Sequence, residues 1–410
     1  MSTFLNAYCC PVNMLNKFEM ITNPGIRGPL AQVENISIER ISEDTFRGMR
    51  DEWNSLLEKS VTNEFFLLWE WVYSWWQSFK DHSKVLFILI GRNLEGRLVG
   101  IAPLFIDRSK PGGFLEKNIL RFCASVGACP DHIDFISDIE HADSFLKALF
   151  KYVKERGKQW DMIVLDGVKE DSIINNYLRQ NGFLDLPVSR TADSDSLCPY
   201  LPLEKDFEGY LKSFSAKTRQ TLMRKRRALF ENKGSGAAYA RFEIVKDALD
   251  LDGQIRQLFI LHMERALRKG IKSNYEGSRR YNFHRGFIHS LFHTGKIVLA
   301  FLYRGSVPIA SYYCIKHNGK YSYYQAGISV EGEKASAGTV LLSLLIEKAF
   351  EDGCSEFDFL RGSEEYKFFW TKKYRQNYLI EIRKGDLAGR LSHGAHMVFR
   401  KLLKVFASPE

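Results

Sequence analysis

Phe357-Asp358-Phe359-Leu360-Arg361-Gly362-Ser363-Glu364-Glu365-Tyr366-Lys367-Phe368-Phe369-Trp370 is the stretch on which the fold turns. It opens as an alternating apolar strand that carries one aspartate. Arg361-Gly362 stops the strand, and an acid, a tyrosine, a lysine and a tryptophan follow within a helical turn or two. A strand that ends in glycine and passes directly into a helix presents its carboxyl end to a crevice, where open α/β sheets bind ligands.

Alternation places Phe357 and Phe359 on one face, Asp358 on the other and Arg361 at the strand's end. An aspartate inside so apolar a strand needs a hydrogen-bond or ionic partner, because unpaired burial costs several kcal/mol. One reading makes Asp358, Arg361 and Gly362 supports that shape the crevice, with Trp370 as a further support or substrate contact. Glu364, Tyr366 and Lys367 then become the candidates to relay a proton or touch substrate, set against ordinary surface or packing duty.

Upstream, strands are predicted over 297–303, 307–315 and 321–326, followed by Lys334-Ala335-Ser336-Ala337-Gly338-Thr339 and a leucine-rich helix to about 351. Small residues at a helix start leave backbone N–H groups free to meet an anion, and the helix dipole adds a positive partial charge. A pyrophosphate would suit this loop; a plain capping serine or threonine has the same appearance. Helices are predicted over 248–268 and 280–294, the first bearing His262 with Glu264 and Arg265. A long helix starting near Phe207 carries the stripe Leu211, Phe214, Thr218, Leu222 and Leu229. On that helix Lys217, Arg219, Arg224, Lys225, Arg226 and Arg227 occur with no acid from 217 to 230. They would draw the phosphates of a cofactor, a lipid headgroup or RNA, or they form a solvated face. No RNA-recognition signature accompanies them.

The first half has the same order of elements: strand signals at 36–41, 85–90 and 98–105, helical spacing over 44–57 and at Trp69 to Trp76, a helix over 143–156 and a buried strand at 162–165. The tryptophan-rich helix is expected to pack on a sheet. Asp131-His132-Ile133-Asp134 invites a metal reading, which the lack of a second ligand cluster sets aside. This is a recurrence of architecture, since no repeat of fixed period is visible. The resulting division is an arm over 1–34, a first domain over 35–186, a connector over 187–204 containing Pro187, Pro199 and Pro202, a second domain over 205–385, and an amphipathic helix over 386–410.

Composition narrows the class. With 410 residues, 45% hydrophobic and 13% aromatic, the chain can bury more than one core, which excludes a largely disordered protein. A net charge of +9 suits an anionic small molecule, a nucleic acid or an acidic membrane without choosing among them. Seven scattered cysteines with no Cys-x-x-Cys pair predict a reducing compartment and no metal. The amino terminus lacks a basic n-region and no run reaches about 18 apolar residues, so a cytoplasmic chain is expected. The last helix, with Arg390, Arg400, Lys401 and Lys404 opposite its apolar stripe, offers peripheral contact with an anionic inner membrane or packing on the second domain.

Taken in order, Ser215-Ala216-Lys217-Thr218-Arg219, Leu261-His262, Arg265 to Gly270, Tyr324-Gln325-Ala326-Gly327, Ser336-Ala337-Gly338 and the block from Phe357 through Lys367 resemble the GNAT-fold acyltransferases of the cellulose-biosynthesis-associated group. That group is related to the Fem-type transferases of cell-wall assembly. The match spans about 200–375, and Asp131 to Asp134 with Trp160-Asp161-Met162-Ile163-Val164-Leu165 also resembles the group's amino-terminal domain. The resemblance implies a mixed α/β fold of tandem GNAT-like domains.

It also implies transfer of an acyl group from a thioester to an amine, the thioester entering as a substrate carried by coenzyme A or an acyl carrier protein, with no permanently bound cofactor. Tyr324, Gln325, Ala326 and Gly327 would form the splayed strand, and Lys334, Ser336, Ala337, Gly338 and Thr339 the phosphate loop. The loop departs from the family pattern of Gln or Arg, two residues, Gly, one residue, Gly or Ala; its single glycine and leading lysine leave a carrier-protein donor open. The protonated amine needs a base and the departing thiolate an acid. Glu364 or His262 is the expected base, and Tyr366 or Tyr324 the expected acid. Two alternatives stand beside this: a Fem-type transferase that takes aminoacyl groups from tRNA, and a non-catalytic subunit of a polysaccharide synthase complex.

Overall fold

Two pairs of parallel strands, one in each half, organise the chain. In this computed structural model residues 35–109, 116–183, 186–231, 239–270 and 278–384 are described; the arm over 1–34 and the helix over 386–410 lie outside them. In the first half Lys117–Phe122 runs parallel to Met162–Lys169, with the helix Ala142–Glu155 between them in sequence. In the second, Lys320–Ile328 runs parallel to Glu356–Asp358, with the helix Ala337–Glu351 between. Antiparallel strands extend each pair outward: Leu104–Ser109 and Lys84–Leu86 on one side, Val307–His317, Ile297–Arg304 and Ala240–Ile244 on the other. The fold is mixed α/β, and the recurrence expected from the sequence is present as topology.

The halves meet by exchanging strands. Tyr374–Arg383, late in the chain, pairs antiparallel with Met162–Lys169 of the first half, while Leu197–Pro202 pairs with Glu356–Asp358 of the second. These two exchanged strands also pair with each other, so one twelve-stranded sheet runs through both halves among the described residues. Residues 187–204 therefore hold two strands, Val188–Thr191 and Leu197–Pro202, where proline content predicted only a connector. Pro199 and Pro202 are tolerated there because a short strand can leave individual N–H positions unused.

Other differences have local causes. The strands predicted over 85–90 and 98–105 form a hairpin interrupted at Phe87-Ile88 and at Pro103. Its tip strands, Leu89–Arg92 and Leu98–Ala102, join a separate four-stranded sheet, and its base strands enter the large one. The helix predicted from Phe207 is two, Phe207–Lys212 and Ala216–Phe230, because Ser215 accepts the Thr218 N–H at 3.2 Å and starts a new N-terminus. The strand predicted to 360 ends at Asp358, whose carboxylate accepts the Leu360 N–H at 2.8 Å while Leu360 adopts φ +56°.

Each face of the second-half sheet has its own core. The helix Ala337–Glu351 covers one, with Leu222 and Leu229 of the basic helix among the buried residues. Leu251–Arg268 and Arg279–Leu291 cover the other. On this second face the helix Trp69–Phe79 packs on the sheet as predicted, with Trp75 against Phe105 at 4.8 Å. It also packs on a helix of the other half, with Trp71 against Phe287 at 4.9 Å.

Candidate functional site

The parallel strands of the second half stay together for only three residues, Lys320 with Glu356, Tyr321 with Phe357 and Ser322 with Asp358. Beyond them Lys320–Ile328 continues alone on that edge, and two local features open the gap. The turn at Asp358 stops one strand. On the other, the register against Val307–His317 slips so that Tyr324 is an extra residue, a β-bulge. Tyr323 packs in the core beneath Ala337–Glu351, and Tyr324 against the opposite core.

Under the first face lies a cluster of phenols around one cation. Arg265 hydrogen-bonds Tyr323 and its charge faces Tyr312 and Tyr366. Burial raises the phenol pKa values of Tyr323 and Tyr366, that of Tyr366 far above the ordinary range, so both remain neutral proton donors at neutral pH. The Tyr312 hydroxyl donates to the Gly338 carbonyl at 2.8 Å, tying this cluster to the first turn of the helix Ala337–Glu351. Tyr366 was singled out from sequence; Tyr323, Tyr312 and the reach of Arg265 were not. Alternation would have placed Tyr323 and Tyr324 on opposite faces, but nothing in sequence shows which face adjoins Tyr366.

On the other face Tyr324 donates its hydroxyl proton to the Ala128 carbonyl of the first half at 2.9 Å and lies 3.5 Å from His284 Nε2. His262 Nδ1 sits 3.2 Å from the Ala326 carbonyl and also beside the Gln325 amide. Burial lowers the His262 pKa, and the charges of Arg265 and Arg280 lower it further, so the ring is neutral at neutral pH. His284 is pushed down to about 3 by burial, with Arg280 and His262 adding to the effect. Gly327 serves packing: a Cβ there would lie 2.5 Å from Leu261 Cβ and 2.7 Å from the His262 N atom.

Glu364 is exposed and pairs with the buried Lys367 at 3.0 Å. Lys367 Nζ also donates to the carbonyls of Leu360, at 3.3 Å, and Arg361. Gly362, at φ +123°, lies beneath this pair, where a Cβ would overlap the Glu364 carboxylate. Trp370 is buried, and its carbonyl accepts the Tyr210 hydroxyl at 2.6 Å, so it serves as a support. His262 meets the strand while Glu364 meets Lys367, so the two expected bases occupy different sides of the gap.

A cavity of about 220 Å³ is lined by Lys217, Thr218, Thr221, Leu222, Lys225, Thr339 and Phe369. Two features separate in sequence converge here, the basic helix and the first turn of Ala337–Glu351. Thr339 is the member of the expected phosphate loop in the lining; Ala337 and Gly338 are buried and Lys334 is exposed. Ser336 starts the helix at φ +58° without a side-chain cap. Phe369, absent from the sequence-based candidates, is 42% exposed beside the lysines, and no pattern in the sequence marks that exposure.

Asp358 finds its partner in the first half. His132 Nε2 is 2.9 Å from Asp358 Oδ2, and His132 Nδ1 is 3.2 Å from Asn377 Oδ1. The Asn377 amide donates to Asp131 at 2.9 Å, which fixes its oxygen toward His132. Both ring nitrogens thus face acceptors, and the imidazole carries both protons. Burial works against that charge, but Asp358 outweighs it and the His132 pKa is raised. Asp358 responds in kind: burial favours its neutral form, yet His132 and Arg375 hold its pKa at about 2. Asp131 accepts the Arg361 backbone N–H at 2.9 Å and its guanidinium as well, and Pro130 accepts from Arg361 at 2.6 Å. Asp131 and His132, set aside as metal ligands, are therefore partners of the second half.

Residues 216–368, which hold the gap, the cavity's basic helix and most of the polar groups above, match the family described as acetyltransferase (GNAT) domain. No curated protein matches the chain. Among solved structures, FemX superimposes with a TM-score of 0.59 at 12% identity, covering 84% of this chain and 96% of that one. The C-terminal domain of a putative lysylphosphatidylglycerol synthetase from Agrobacterium fabrum gives 0.52 at 11% identity, covering 86% and 97%. L-PGS from Bacillus licheniformis gives 0.50 at 12% identity, covering 86% and 95%. At such identities the likeness is one of fold. The family match over the splayed strands places an acetyltransferase (GNAT) domain at residues 216–368, and the chain as a whole shares the fold of these structures.

Proposed function

We propose that the protein is an N-acyltransferase that moves an acyl group from a thioester to an amine during assembly of an envelope polysaccharide, peptide or lipid, within the cellulose-biosynthesis-associated group its motifs resemble. The observation that carries this reading is the cavity in which Lys217, Lys225 and Thr339, in the first turn of Ala337–Glu351, surround one space. Cations and a helix N-terminus together favour a phosphate. At about 220 Å³ the space is smaller than the ~300–1,000 Å³ typical of drug-sized ligands, so it suits a phosphate with a slender arm. Both coenzyme A and an acyl carrier protein present their thioester on such an arm.

In the reaction a base takes a proton from the ammonium group and the freed amine attacks the thioester carbonyl. The C–N bond forms, the C–S bond breaks, an acid protonates the departing thiolate, and the second proton shed by the acylated nitrogen restores that acid. Neutral His262 is suited to the first step and the Tyr366 phenol to the second; Glu364 remains the alternative base. Unchanged turnover in both His262→Ala and Glu364→Gln would defeat the assignment.

The exposed cations Lys217, Arg224 and Arg227 favour one other reading, an aminoacyl-tRNA donor held along the basic helix. Assaying transfer from acyl-coenzyme A, acyl carrier protein and aminoacyl-tRNA to amine acceptors decides between them. Thioester-dependent product supports the first reading, and strictly tRNA-dependent product the second. Among the described residues no helix is long and apolar enough to cross a membrane.

A further inference from the structure

One short piece of the first half touches both sides of the gap. Within Ala128 to His132, the Ala128 carbonyl accepts from Tyr324 on one splayed strand, at 2.9 Å. The Pro130 carbonyl and the Asp131 carboxylate take Arg361, just beyond the other strand, and His132 takes Asp358 at that strand's end. Among the described residues the side-chain hydrogen bonds of Asp131 and His132 go only to the second half, to Arg361, Asn377 and Asp358. Ordinary interface packing does not require the same few residues to hold both lips of one opening.

The backbone is held in rarely used conformations on both sides of this contact. Cys129 and His132 lie at φ +42° and +54° in the first half, and Leu360 and Gly362 at φ +56° and +123° in the second. Non-glycine residues at positive φ persist only where the surroundings over-determine them, and they cluster at functional segments. Gly167 permits the approach, since a Cβ there would lie 2.7 Å from Arg361 Nη2. The first half's own parallel pair lacks the corresponding opening. Where Met162–Lys169 passes beyond Lys117–Phe122, Ile133 bridges to Val168, and its N–H donates to the Gly167 carbonyl at 2.8 Å. The segment thus braces one gap, and the residue that follows it fills the other.

We infer that Ala128 to His132 is a strut through which the first half sets the width of the transfer site, with Asp131 and His132 as positioning residues for the segment from Leu360 to Lys367. This rests on the reading that the gap in the second half is where transfer occurs. Neither residue touches substrate; each acts through Arg361 or Asp358, which lead into the helix bearing Tyr366. The acyl carbonyl and the acid must be held to within a fraction of an ångström for efficient transfer, so loosening the strut lowers turnover more than binding.

The test uses the full-length protein, with Asp131→Asn and, as a milder change that keeps the cation, Arg361→Lys. Hydrogen–deuterium exchange of the peptide spanning 360–370 is compared with that of the helix Trp69–Phe79, alongside kcat and donor KM with acyl-coenzyme A or acyl carrier protein. Faster exchange confined to 360–370, with kcat down tenfold or more and donor KM within about twofold, is expected for Asp131→Asn and a smaller effect for Arg361→Lys. Faster exchange everywhere, or unchanged kcat despite local loosening, overturns the inference. A wild-type protein that transfers from neither thioester sinks the proposed function, whereas the exchange measurement still reports whether the strut holds the segment.

Discussion

His132 and Asp358, 226 residues apart in sequence, face each other across the seam at 2.9 Å with both side chains 1% exposed. The pair joins an imidazolium to a carboxylate inside a protein, an arrangement stable only while both charges are present. Asp358→Asn leaves the His132 charge buried without its counter-ion and is expected to cost about 3–5 kcal/mol, read from urea unfolding.

The same pair sets a pH dependence. Asp358 has its pKa lowered to about 2. Its contribution is present above the unfolded value of about 3.9 and is lost as pH falls through about 2. His132 is shifted upward, so its contribution is full below the unfolded value of about 6.5 and is lost as pH rises through its folded value. The pair's contribution is therefore greatest between about pH 4 and 6.5. Its charged surroundings are Asp131, Glu64 and Arg375. Urea midpoints should decline as pH rises above that range in the wild type and vary less in His132→Gln.

Gly362→Ala tests the turn that carries Glu364. A methyl group at φ +123° is strained, and it overlaps the Glu364 carboxylate and lies 2.8 Å from Lys367 Nζ. A loss of about 1–3 kcal/mol in stability is expected. Retention of wild-type stability and turnover would show that the Glu364–Lys367 pair is not seated on this glycine.

Gly327→Ala acts from the opposite side. Its Cβ would press on Leu261 and the His262 backbone, forcing the helix Leu251–Arg268 away from the strand. Overpacking of this kind costs about 1–3 kcal/mol, and the movement separates His262 from Ala326. Turnover should fall even where the protein stays folded, as checked by kinetics below the melting transition.

Lys217→Ala and Lys225→Ala examine the cavity. If the donor phosphate binds there, each substitution removes one cation from a partly solvated site, worth about 0.2–1 kcal/mol, so donor KM should rise roughly 1.4- to fivefold per substitution and the effect should shrink at high salt. No change in KM with either thioester would place the donor elsewhere.

The acid limb of the rate profile reports on His262. Its pKa lies below 6.5 because burial and two arginines disfavour its charged form. If it is the base, kcat/KM rises with pH through a value below about 6.5. Retention of the same limb in His262→Ala would point to Glu364 instead.

Much of this architecture is visible in the amino-acid order because it rests on local periodicity. Alternation around Tyr321, the leucine-rich run after Gly338 and the stop at Arg361-Gly362 each specify an element through contacts within a few residues. The polar interruption at Asp358 likewise announces that a partner must exist, since an isolated carboxylate cannot be buried. Which partner is a different kind of question. His132 lies in the other half, and the exchanged strands Leu197–Pro202 and Tyr374–Arg383 pair with segments far along the chain. Strand pairing is made by backbone groups that all residues but proline carry alike, so no side-chain pattern names the neighbour. The bulge at Tyr324, the meeting of Lys217 with Thr339, and the strut from Ala128 to His132 arise only when those distant strands come together. The sequence alone determined that a strand, a turn and a helix would form one lip of a site. Tertiary structure decided what lies opposite that lip and which residues hold it open.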